Sequence, residues 1–99
     1  MDDDGTSGGR LSFLNRSLPP SFEVRFVALE PGHEHPYDEE EWRGALVVVE
    51  RGELELECVR GGTRCFASGS VLWLFGLPLR TLHNRGREQT LLSAVSRRC

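Results

Sequence analysis

The chain has 99 residues, 38% of them hydrophobic, and a net charge of −3 from 12 basic and 15 acidic side chains. That describes one globular domain with a modest core. It argues against a nucleic-acid partner, because the arginines are scattered and the acidic clusters Asp2–Asp4 and Asp38–Glu41 would repel phosphates. No apolar run is long enough to be read as a membrane span. All twelve basic residues are arginine, so each positive side chain is a planar fork suited to carboxylate or phosphate. The three cysteines, an odd count without a secretory-type apolar run, imply a reducing, cytoplasmic setting.

Residues 1–10 are acidic and glycine-rich with nothing apolar to bury, and read as a disordered tail ahead of a domain over 11–99. Leu11–Leu14 is a small apolar hook, suited to packing on the domain or on a second subunit, and Pro19-Pro20 ends it. Over Phe22–Leu29 hydrophobic residues alternate on both faces of a strand. Pro31-Gly32 turns the chain, and His33–Glu41 is polar and acidic. The β-branched run in Gly44–Glu50 predicts a buried strand. Glu53–Cys58 alternates glutamate with an apolar residue or cysteine, one wet face and one dry.

Gly61-Gly62 predicts a two-residue hairpin loop, a register that would set Cys58 opposite Cys65 as two buried thiols or a poor disulfide pair. Gly69–Phe75, Arg80–Asn84 and Gln89–Ser96 complete about seven short strands without helical periodicity, an all-β sandwich or small barrel. Trp42 is expected to cap one end of it or make a subunit contact.

The stretch GSVLWLFGLPLRTLHN resembles the second motif of the cupin superfamily, G-x5-PxG-x2-H-x3-N. With Gly69 first, Phe75 stands at the proline, Leu77 at the later glycine, Arg80 at the histidine and Asn84 at the asparagine. The first motif, G-x5-HxH-x3,4-E-x6-G, fits less well. Gly52 as its final glycine puts Ala45 at the glutamate, while the actual pair His33 and His35 lies several residues too early. The resemblance implies a cupin-type double-sheet barrel, a jelly roll, and a homodimer. In the family three histidines and a glutamate bind a divalent metal; here two of those four positions fail.

Three functions remain open. The first is binding of a small organic ligand, anionic in class, in the barrel without a standard metal centre. Arg80 would project inward, with Asp38 or Glu40 as its internal partner and Trp73, Phe75, Leu82 and the Val47/Val49 strand as walls. The second is a metal-dependent oxygenase or isomerase holding Fe, Mn, Ni or Zn through His33, His35 and an acid such as Glu39. The third is a structural or protein-interaction module. No nucleophile-and-base pair is visible.

Overall fold

A computed structural model describes residues 11–14 and 16–98; the tail expected over 1–10 lies outside them. Among the described residues eight strands form two four-stranded sheets. In chain order they are β1 Phe22–Leu29, β2 Glu34–Pro36, β3 Leu46–Arg51, β4 Glu53–Cys58, β5 Thr63–Ala67, β6 Val71–Leu72, β7 Leu79–His83 and β8 Thr90–Arg97. The first sheet runs β1-β8-β3-β6 and the second β2-β7-β4-β5, with all pairs antiparallel. One 3-10 helix, Glu39–Trp42, sits between β2 and β3, its first turn capped by Asp38 accepting from the Glu40 amide. The all-β expectation is met. The sheets stack without hydrogen bonds closing them into a continuous barrel.

Strand pairing fixes which side chains meet between the layers. Val47 pairs with Ala94 and Val49 with Leu92, while Leu56 pairs with Leu82 and Leu54 with Phe66. These residues, with Leu29, Trp42, Ala45, Leu74 and Leu79, make the core. Trp42 is wholly buried, which leaves none of its surface for a subunit contact.

The outer faces differ. That of the second sheet carries Glu34, Glu55, Glu57, Thr81 and His83. That of the first carries Phe26 and Val71, both largely exposed, beside half-buried Val24, Leu46, Leu91 and Val95. The hook at 11–14 docks on its own domain. The Ser12 hydroxyl and the Phe13 amide donate to the Glu50 carboxylate at 2.6 and 2.8 Å, and Ser93 donates to it at 2.8 Å.

Two expectations about register are corrected. The β4–β5 loop spans four residues, 59–62, and Glu57 pairs with Thr63 and Leu56 with Arg64. A two-residue type I′ turn needs positive φ at both centres, and of the two glycines only Gly61 has it, at 96°. Cys65 therefore lies opposite Glu55, on the other face from Cys58. The strand expected over Gly69–Phe75 shrinks to Val71–Leu72.

Candidate functional site

Arg80 does not enter the interior. Glu57 pairs with Thr81 and Cys58 with Leu79, so Arg80 is the extra residue of a β-bulge on β7. A bulge re-aims its unpaired residue. The Arg80 side chain is exposed and donates to the Val59 carbonyl at 2.9 Å, while its own carbonyl accepts from the Tyr37 amide. The other residues expected around it disperse. Asp38 caps the 3-10 helix, and Glu40 pairs with Arg43, which holds the Glu40 carboxyl below its usual range. Phe75 lies 4.7 Å beneath the Arg43 guanidinium, and Trp73 is 52% exposed. Leu82, Val47 and Val49, expected as cleft walls, are fully buried core.

The metal alternative fares no better on donor geometry. His33 and Glu39 are exposed, and His35 Nε2 is 2.8 and 3.0 Å from the two carboxylate oxygens of Glu41. At the two failing motif positions, Ala45 is buried and offers no donor, and Arg80 is outside. Among the described residues no three His, Cys, Asp or Glu side chains are grouped so as to hold a metal ion. The residues present do not fit a centre of three histidines and one glutamate.

What His35 joins is a clasp between the layers. It shares the inner face with Leu82. Arg25, on β1 of the other sheet, donates to the Glu41 carboxylate at 3.2 Å and to its carbonyl at 2.8 Å. Glu41 thus bridges the two edge strands that the sheets set side by side. The buried Trp42 ring underlies both side chains, 5.0 Å from the Arg25 guanidinium and edge-on to the His35 ring. Its indole N–H has no acceptor among the described residues.

At the other edge of the sandwich lies a cleft of about 210 Å³ lined by Leu56, Cys58, Arg64, Phe66, Leu77, Pro78 and Leu79. Every lining residue but Arg64 is apolar or a thiol. Arg64 pairs with Leu56 and so stands on the inner face; it is exposed and has no hydrogen bond or ion pair among the described residues. The pairing expected from Gly61-Gly62 put this arginine on the outer face, which is why the sequence did not single it out. A larger, shallow groove of about 520 Å³ at the opposite strand ends is polar, with Arg85 and Arg87 balanced by Glu53 and Glu88.

His83 is buried on the outer face of the second sheet between Glu57 and Glu34. Its hydrogen bond is the main reason the Glu57 carboxyl titrates below its ordinary range. Asn84 is structural. Its amide donates to the carbonyls of Leu29 and Glu88, and its side-chain oxygen accepts from the Gly86 amide.

No protein-family model and no curated protein matches the sequence. Solved structures do. A Cupin 2 conserved barrel domain protein from Salinispora arenicola superposes with a TM-score of 0.59 at 24% identity, over 80% of this chain and 65% of that one. The Cupin_2 domain of an XRE family transcriptional regulator from Enterobacter cloacae gives 0.54 at 21%, over 76% and 79%. A sugar phosphate isomerase of the cupin superfamily from Silicibacter pomeroyi gives 0.55 at 22%, over 87% of this chain but 54% of its own. The chain therefore spans less than two thirds of the Salinispora chain and about half of the Silicibacter one. Likeness of this kind establishes architecture: this chain has the cupin fold.

Proposed function

We propose that this protein binds a small organic anion in the cleft between the β4–β5 inner face and Leu77–Leu79, without a metal centre of the standard cupin type. The observation that carries this reading is the Arg64 guanidinium, free of partners among the described residues, at the rim of an otherwise apolar cleft. A guanidinium offers a carboxylate two parallel donors, and the apolar lining supplies the rest of the affinity by removing hydrocarbon from water. About 210 Å³ suits one aromatic ring or a short alkyl chain. A sugar phosphate, the substrate class in the name of the Silicibacter protein, is a poorer match. Its hydroxyls would lose water against Leu56, Phe66 and Leu79 without regaining hydrogen bonds.

The test is an NMR titration with hexanoate and benzoate against hexanol as the uncharged control, in wild type, Arg64→Gln and Arg80→Gln. The acids are expected to bind saturably with shifts confined to the cleft. Arg64→Gln should weaken them about tenfold, about 1.4 kcal/mol, and Arg80→Gln should leave them unchanged. Flat titrations of wild type, or equal binding by Arg64→Gln, would overturn the reading.

A homodimer is a second element of the proposal, favoured by the apolar outer face of the first sheet. Phe26 and Val71 are 46% and 47% exposed there, where a solvated sheet face is ordinarily polar. Sedimentation should give twice the chain mass, reduced to one by Phe26→Glu. A monomeric wild type would refute it.

A further inference from the structure

The His83 side chain is only 9% exposed although it lies on an outer sheet face, and each ring nitrogen meets a carboxylate from a different strand. Nε2 is 2.8 Å from Glu57 on β4, and Nδ1 is 3.5 Å from Glu34 on β2. A neutral imidazole has one donor and one acceptor, so one nitrogen would turn a lone pair toward an ionised carboxylate. Only the imidazolium presents a donor to both.

We propose that His83 is a proton-operated pin that ties the edge strand β2 to the rest of its sheet, complete when the ring is charged and broken on the Glu34 side when it is neutral. The other charged groups around it are placed to keep this pairing. Glu55, opposite His83 on β4, is taken up by Arg85 Nε at 2.6 Å and lies 3.7 Å from the Cys65 sulfur. Arg80 and Arg85 both help to hold Glu57 ionised. Glu34, 65% exposed, has no competing cation among the described residues.

β2 is short enough for such a pin to matter. It has three residues, pairs on one side only, and ends in a proline that donates no hydrogen bond. The same strand carries His35 into the clasp with Glu41 on the opposite face. Protonation at His83 on the outside therefore bears on the seal between the sheets on the inside. Pinning is complete while both ring nitrogens carry a proton and fails once either is deprotonated.

Two measurements on the full chain test this, independently of any cleft ligand. Nitrogen NMR of the His83 ring should show both nitrogens protonated at the acidic end of a series from about pH 5 to 8. Over the same series, exchange protection of the His35 and Tyr37 amides, corrected for intrinsic rates, should fall at least fivefold while β8 amides hold steady. Glu34→Gln, a conservative change at an exposed site, should fold normally and give low protection without pH dependence in β2. A ring nitrogen unprotonated across the whole range would overturn the proposal. So would a Glu34→Gln variant with the wild-type protection profile.

Discussion

Single side chains here are governed by what faces them rather than by exposure alone. Cys65 is exposed, yet burial of its sulfur, followed by the nearby Glu55 carboxylate, pushes its thiol above the ordinary range. Since the thiolate is the reactive form, Cys65 should alkylate more slowly near neutral pH than an unhindered thiol. Glu55→Gln should accelerate it, as mass spectrometry over time would show. Trp42 presents the converse case, a fully buried indole whose N–H lacks an acceptor among the described residues. An unmet buried donor costs about 1–3 kcal/mol, so Trp42→Phe should lose less than about 1 kcal/mol despite its smaller volume. Trp42→Ala should lose about 3–5 kcal/mol; urea melts of both variants check the pair. Gly52 tolerates no side chain. Its φ is 74°, and an added Cβ would come within 2.7 Å of the Gln89 carbonyl oxygen. Gly52→Ala should cost about 2 kcal/mol or more.

Among elements, the strands legible in the sequence were those with a strong apolar signal: the valine run of β3, the Leu54 and Leu56 alternation of β4, and β8. β2 was not legible, because an edge strand of glutamate, histidine and proline has no dry-face pattern to detect. The β4–β5 hairpin is legible in the sequence, but its register is not. Its glycines marked a turn, yet the loop length decided the pairing, and an odd slip sends every side chain of a strand to the opposite face. A two-residue turn would place Arg64, the cation of the cleft, on the outer face and Cys65 beside Cys58; the observed register reverses both. Paired as observed, those two thiols should give no intrachain disulfide under mild oxidation, checked by non-reducing peptide mapping. The Glu57–His83 tie between β4 and β7 belongs to this scale as well. The Glu57 carboxyl is depressed in the folded chain, so its contribution is present above the unfolded carboxylate range and is lost as pH falls through the lower folded value. Glu57→Gln should flatten the acid limb of the stability profile, measured by denaturant titration from neutral pH downward.

For the whole molecule, the architecture was readable from strand count and alternation, whereas the site depended on details that neither pattern encodes. The two sheets meet through apolar packing without a shared backbone ladder, which gives the Arg25–Glu41–His35 clasp its importance. Glu41→Gln removes the carboxylate charge that Arg25 and His35 share as a partner. It should lower stability by about 1–2 kcal/mol, since the clasp is partly buried and charge-assisted, and most of that difference should vanish in high salt.

The bulge at Arg80 carries an implication for how this chain tolerates length changes. Its ladder uses Leu79 and Thr81 and skips the residue between them, so β7 holds one peptide unit more than its neighbour spans. Excising residue 80 would leave flanking alternation in phase, at the expense of the carbonyl that the Tyr37 amide uses. Excising Leu82 instead would reverse the facing of one side of the strand. A scan of one-residue deletions along β7 should therefore show a single soft spot, at position 80.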